Sequence, residues 1–246
     1  MAKFAVILPA AGKSSRFKDK HYKKPFASLA GRAVWLHSAE KFLDRDDTPQ
    51  VIVVIGPEDR EDFDFKFSAN VAILGIDVVE GGAQRADSVA AALARVRPEI
   101  DFVCVHDAAR PCLATEWIDR VYAAAEADGA AILAIPISGT VKRVSNQKII
   151  EETVTRAGLW EAQTPQVFRR ELLMQAHAQK NASTATDDAQ LVEQLGHPVR
   201  VVTGSPLNLK ISTKSDLRMA EMALKALPKP RLDGPAHPFS DGDMWR

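Results

Sequence analysis

Phe4-Ala5-Val6-Ile7-Leu8-Pro9-Ala10-Ala11-Gly12-Lys13-Ser14-Ser15-Arg16 runs five apolar residues straight into a loop of small residues. A short apolar run without alternation reads as a strand buried on both faces, as in a parallel sheet. Val51–Ile55, Ile76–Val79, Phe102–His106, Ala131–Ile135 and Val199–Thr203 extend the pattern. Helical spacing falls between and after them, over Ala33–Leu43, Arg85–Val96, Thr115–Ala127, Arg169–Gln179, Asp187–Leu195 and Lys214–Leu227. Thr213 with Asp216 three residues on predicts a capped start for the last helix. Strands alternating with helices predict a doubly wound, mostly parallel α/β sheet with right-handed crossovers.

Two segments depart from that rhythm. Residues 137–155 are polar, lack a helical period and flank Ser145-Asn146-Gln147, which predicts a two-stranded arm leaving the main sheet. Residues 228–246 hold four prolines without periodicity and read as a tail, leaving 1–227 as the domain.

The 246 residues carry 32 Lys+Arg against 32 Asp+Glu, with 46% hydrophobic residues. Ordinary apolar content and no net charge exclude a disordered chain. The absence of a cationic surplus disfavours a nucleic-acid coat. Two cysteines, Cys104 and Cys112, are too few for a disulfide scaffold or a four-thiolate zinc site. Met1–Leu8 is too short for a signal-peptide core, and no run of 18 apolar residues occurs. The expectation is a soluble cytoplasmic protein that binds neither membrane nor nucleic acid.

Neutrality conceals local charge. Residues 13–24 hold Lys13, Arg16, Lys18, Lys20, Lys23 and Lys24 against Asp19 alone, a local +5. Eight acids and two arginines between Asp44 and Asp64 oppose it. The cations adjoin the Pro9–Arg16 loop, and a βα loop at a strand's carboxyl end is where open α/β sheets bind ligands. A Walker A loop would need glycine at position 7, where Ile7 stands, and a Rossmann fingerprint needs three glycines where the loop has one. An anion site of another kind is predicted. Gly81-Gly82-Ala83-Gln84-Arg85 turns into a helix, whose start offers unpaired N–H groups. Asp107 closes a buried strand where a carboxylate can share Mg²⁺ with phosphate oxygens. His106, its neighbour, points to the opposite face and reads as structural. Lys210 lies among alternating apolar residues in Asn208–Ser212, read as a late strand. Asp62-Phe63-Asp64 matches a metal-binding D-x-D pattern, and no G-x-S-x-G occurs.

In this order and spacing, Pro9–Arg16, Arg85-Ala86-Asp87-Ser88-Val89, His106-Asp107-Ala108-Ala109-Arg110-Pro111, Gly158-Leu159-Trp160, Thr164-Pro165-Gln166 and Asn208/Lys210 resemble one family. It is the 2-C-methyl-D-erythritol 4-phosphate cytidylyltransferases, and the likeness covers about residues 4–226. The resemblance implies a nucleotidyltransferase, Rossmann-like fold with a protruding β-arm. It implies Mg²⁺-dependent transfer of CMP from CTP to 2-C-methyl-D-erythritol 4-phosphate, releasing pyrophosphate, in non-mevalonate isoprenoid biosynthesis. By the same resemblance, Arg16 and Lys24 stabilise the transition state, with Lys23 one step away. Ala10, Ala11, Gly12, Gly82, Ser88 and Ala108 meet the nucleotide. Asp107 lies near the metal, and Thr140, Arg156 and Lys210 hold the acceptor. The arm, at about residues 137–157, would complete the neighbouring subunit's site in a homodimer. A ribitol-5-phosphate cytidylyltransferase and an inactive CTP-binding protein remain alternatives.

Overall fold

Val6, Leu8, Val51, Val53 and Ile55 pack into one core, while Ala5, Ile7, Ile52 and Val54 of the same two strands pack into another. Successive side chains of a strand point to opposite faces, so an unbroken apolar run demands helices on both sides. The computed structural model describes residues 1–12, 23–179 and 185–228. In chain order the elements are β1 (Phe4–Pro9), the short pair β2 (Ser28–Leu29) and β3 (Arg32–Ala33), α1 (Val34–Leu43), β4 (Gln50–Ile55), α2 (Arg60–Leu74), β5 (Asp77–Glu80) and α3 (Arg85–Leu93). There follow β6 (Phe102–Val105), α4 (Thr115–Asp128), β7 (Ala130–Pro136), β8 (Val141–Val144), β9 (Ile150–Val154) and β10 (Trp160–Arg169). The described chain closes with α5 (Arg170–His177), α6 (Asp188–Gln194), β11 (Arg200–Thr203) and α7 (Lys214–Ala226).

The main sheet has the order β11-β7-β10-β6-β1-β4-β5. Helices α1, α2 and α4 cover one face through Trp35, Phe42, Phe63 and Trp117. The other face is covered by α3, α5 and α6 through Val89, Leu173 and Leu191. A smaller core of Leu29, Val34, Cys112, Ile211, Ala220 and Ala223 fastens α7. At the start of α7, Thr213 Oγ1 accepts from Asp216 N at 3.2 Å and Asp216 Oδ2 accepts from Thr213 N at 2.8 Å, the expected reciprocal cap. From β1 the chain steps outward to β4 and β5, then returns to β6 on the other side of β1. Strand order therefore reverses between β1 and β6, where ligands enter open α/β sheets.

Three sequence readings are corrected. Arg60–Leu74 is a helix where no element is predicted, its first five residues falling in the acidic stretch Asp44–Asp64. Phe63, Phe65 and Phe67 recur every second residue, a strand-like period. Phe63 is 2% exposed against Trp35, whereas Phe65 is 87% exposed. The D-x-D pair lies on this helix, with Asp62 bridged to Lys66 at 3.6 Å and Asp64 to Arg60 at 2.7 Å. The second correction is β10, which runs antiparallel between β6 and β7. Glu161, Gln163, Thr164 and Gln166 hide it among polar residues, and Pro165 lacks a donor. The register shift between Ala162 and Gln166 takes the proline out of the ladder. Third, Asn208–Ser212 is a loop leading to α7 and not a strand. The arm is present as the antiparallel pair β8 and β9 around a turn at Ser145 to Lys148. Of the Pro-rich tail, the residues beyond Pro228 lie outside the described residues.

Where β5 turns into α3, three segments meet at Gly81. A Cβ there would fall 2.5 Å from Ser88 Oγ and 3.0 Å from Ala11 Cβ and Val54 Cγ1. A side chain at position 81 would therefore collide with the side chains of Ser88, Ala11 and Val54. Gly81→Ala is expected to destabilise the fold by about 1–3 kcal/mol through overpacking, measured by urea denaturation.

Candidate active site

The carboxyl ends of β1, β4, β5 and β6 surround a cleft of about 470 Å³. Its floor is backbone and small side chains: Pro9 to Gly12 after β1, Gly56 and Pro57 after β4, and Gly81 to Ala83 after β5. The residues after β5 start α3, where Asp87 Oδ2 accepts from Gln84 N at 3.0 Å and Ser88 Oγ donates to Gln84 O at 3.1 Å. Those contacts occupy the Asp87 and Ser88 side chains with their own turn. The walls carry the charge: Lys24, Arg85 and Lys210 against Glu58 and Asp107.

Asp107 organises the cations. Its Oδ2 lies 2.8 Å from Lys210 Nζ and 3.4 Å from Arg110 Nε, and its Oδ1 lies 3.6 Å from Arg85 Nε. Burial alone would push this carboxyl's pKa up; Lys210, Arg85 and Arg110 reverse that and hold it well below the carboxylate range. Asp107 is therefore an anion at any working pH.

The neighbours of Asp107 are fixed from below. Thr164 Oγ1 accepts from Asp107 N at 3.0 Å and lies 3.1 Å from His106 Nδ1. The Thr164 hydroxyl therefore donates to His106 Nδ1, which leaves His106 Nε2–H to donate to Arg110 O at 3.0 Å. Burial pushes the His106 pKa down to about 4, so the ring is neutral and serves as a brace. Asn208 ties the Lys210 loop to β10, donating to Thr164 O at 2.8 Å and to Gln163 Oε1 at 3.3 Å. Arg110 Nη1 donates to Asn208 O at 2.7 Å from the other side.

Eight of the residues singled out from sequence line this cleft: Ala10, Ala11, Gly12, Lys24, Gly82, Ser88, Asp107 and Lys210. Lys23 is engaged behind the wall, 2.6 Å from both Glu58 and Asp59, and of the two adjacent lysines it is Lys24 that lines the cleft. Ala108 is not among the residues that line the cleft. Its side chain is buried in the core and its carbonyl accepts from Ser38 Oγ at 3.0 Å, while Ala109 lines the cleft. Thr140 and Arg156 are not brought to the cleft of their own chain. Both are exposed at the base of the arm, where Arg156 Nη1 donates to Ser138 O. Arg16 lies outside the described residues. Arg85, Arg110 and Asn208 were quoted within motifs without a role, and Glu58 was not singled out. Apart from the Arg110 contact to Asp107 three residues earlier, their partners are 22 to 103 residues away, so little local signal marks them.

Among the described residues no group of three His, Cys, Asp or Glu side chains converges as a metal site. Neither cysteine is a nucleophile for this cleft. Both are buried, and burial raises their pKa values to about 12 for Cys104 and about 11 for Cys112.

Known proteins share this architecture. The family model for IspD, 2-C-methyl-D-erythritol 4-phosphate cytidylyltransferase, matches residues 4–226. The chain is 42% identical over 234 residues to the 2-C-methyl-D-erythritol 4-phosphate cytidylyltransferase of Rhodopirellula baltica, covering 91% of this chain and 95% of that one. It is 38% identical over 226 residues to a bifunctional IspD/IspF enzyme of Desulfotalea psychrophila, covering 92% of this chain and 58% of the longer protein. The crystal structure of the Francisella tularensis enzyme superposes with a TM-score of 0.76 at 31% identity, covering 91% of this chain and all of that one. On this evidence the chain belongs to the 2-C-methyl-D-erythritol 4-phosphate cytidylyltransferases, a family of nucleotidyltransferase enzymes in isoprenoid biosynthesis.

Proposed function

We propose that the chain transfers CMP from CTP to 2-C-methyl-D-erythritol 4-phosphate, giving 4-diphosphocytidyl-2-C-methyl-D-erythritol and pyrophosphate. The observation that carries this reading is the convergence of Lys24, Arg85, Lys210 and Asp107 over a glycine-floored cleft in a member of this family. A phosphate oxygen of the acceptor attacks the α-phosphorus of CTP, the bond to the β-phosphate oxygen breaks, and pyrophosphate leaves. No protein nucleophile is required, in keeping with a Ser88 hydroxyl tied to Gln84 and thiols buried elsewhere. What the site supplies is position and positive charge where negative charge develops. Lys24, together with Arg16, is assigned to the phosphates at the transition state. The close-packed backbone at Ala10 to Gly12 and Gly81 to Ala83 suits a flat base and its ribose.

Asp107 suits Mg²⁺ in its commonest nucleotide-bound form, which takes one or two carboxylates and completes its shell with phosphate oxygens and water. Held there, the ion would neutralise charge on the leaving pyrophosphate. Lys210 shares the same carboxylate, and its ammonium is assigned to the acceptor phosphate.

A homodimer is part of the proposal. Thr140 and Arg156 are exposed on an arm away from their own cleft, and the arm itself carries exposed Val144, Ile149 and Ile150. A lone two-stranded hairpin with an apolar surface is marginal in water, and a second copy would bury it. We also take the enzyme to be cytoplasmic. No described helix is long and apolar enough to cross a membrane, and both thiols are free.

The direct test is pyrophosphate release from CTP and Mg²⁺ with each acceptor. Turnover with methylerythritol phosphate is expected, and a clear preference for ribitol 5-phosphate would overturn the acceptor assignment. Lys24→Ala is expected to reduce kcat by about 100-fold or more with a smaller change in CTP affinity, because its contact strengthens in the transition state. Lys23→Ala should cost far less; the reverse ranking in steady-state kinetics would move the role to Lys23. Asp62→Asn with Asp64→Asn should leave CMP transfer unchanged, since both carboxylates lie on the outer helix α2. Val144 and Ile150 pair across the arm, so Ile150→Asp is expected to shift a sedimenting dimer towards monomer and to raise the acceptor KM.

A further inference from the structure

The transfer reaction leaves a second buried carboxylate without a task. Asp188, the first residue of α6, is 1% exposed. Its Oδ2 accepts from Arg85 Nη1 at 2.6 Å and its Oδ1 accepts from His177 Nε2 at 3.0 Å. Gln166 of β10 clamps the same helix start, donating to Asp187 Oδ2 at 2.9 Å and accepting from Ala189 N at 3.1 Å. Asp188 is thus fixed to the sheet before it touches Arg85. Burial alone would raise its pKa, but Arg85 and His177 lower it, which keeps it ionised.

Arg85 is the link. One end of its guanidinium is taken by Asp188, while Nε faces Asp107 Oδ1 at 3.6 Å, beyond hydrogen-bond length. Arg85 therefore lends Asp107 its charge without capturing it, and Lys210 keeps the short contact at 2.8 Å. Charges alternate along the row Asp188, Arg85, Asp107, Lys210, and the last three line the cleft. Without the charge of Asp188, Arg85 would be drawn towards Asp107 and would compete with Lys210 for it.

We propose that Asp188 is a positioning residue for CMP transfer, acting through Arg85 to set where Asp107 and the Lys210 ammonium stand. This rests on the reading that the cleft takes CTP and the acceptor phosphate. Lysine cannot replace arginine here, because a point charge cannot hold Asp188 while presenting a second edge to Asp107.

The test uses the full chain, with folding checked by circular dichroism and thermal melting. CTP kinetics at saturating acceptor are compared for the parent, Asp188→Asn, Arg85→Lys and the double variant. Asp188→Asn is expected to lower kcat/KM for CTP by about tenfold or more at an equal folded fraction, with most of the loss in kcat. The double variant is expected to be no worse than Arg85→Lys, because the guanidinium through which Asp188 acts is already gone. Losses that multiply in the double variant, or Asp188→Asn within twofold of the parent, would overturn the proposal. Should Asp188→Asn fail to fold, Asp188→Glu carries the test. It keeps the charge on a longer stem, so lower kcat with an unchanged melting temperature supports the inference and parental kinetics refute it. A parent that releases no pyrophosphate overturns the function and this inference together, whereas an active parent with an indifferent Asp188→Asn overturns the inference alone.

Discussion

The carboxylate of Asp107 stands almost out of water between cations from three parts of the chain. Lys210 is 103 residues later, Arg85 opens α3, and Arg110 follows one turn on. Each cation alone would repel the others, and the anion between them makes their convergence stable. Removing one partner from a buried charge cluster typically costs about 3–5 kcal/mol, because a charge is left without compensation. The same cluster makes the cleft electropositive, so the contacts that hold its walls together also attract a triphosphate.

Backing groups make this arrangement rigid. Thr164 and His106 fix the backbone on either side of Asp107, Asn208 anchors the loop that delivers Lys210, and Asp188 anchors Arg85. All four of these contacts begin or end on β10 or on the helix start that Gln166 clamps. The antiparallel strand in an otherwise parallel sheet is thus the scaffold of the charged wall, while the parallel strands β1, β4 and β5 form the glycine-rich floor. An enzyme that works by positioning needs both: a floor that admits the nucleotide closely and a wall whose charges do not wander.

Much of this was legible in the chain. All six predicted strands are strands of the sheet. In β1, β4, β6 and β7 burial on both faces leaves a signature in nearly every residue, while the edge strands β5 and β11 are only half-buried or exposed. Ala10 to Gly12, Gly82, Lys24, Asp107 and Lys210 were placed at the site from their segments and from the family resemblance. What escaped was governed by context. The alternating phenylalanines of α2 imitate a strand, and only tertiary contact with Trp35 and Phe26 selects Phe63 over Phe65. Strand β10 is polar because Gln163, Thr164 and Gln166 spend their side chains on buried hydrogen bonds and not on solvent. Sequence periodicity cannot tell those two uses of a polar residue apart.

By itself the sequence determined the doubly wound sheet, the ligand end of that sheet and the family, since each rests on local runs and on motif order. Tertiary structure alone decided that Lys24 and not Lys23 lines the cleft, that Ala109 lines it and not Ala108, and that Arg85 stands between two carboxylates. The physical reason is range. Apolar burial acts on every residue of an element and repeats along it, so it is written into the chain as a pattern. An ion pair such as Arg85 with Asp188 joins residues 103 positions apart and repeats nowhere, so folding must first bring its members together.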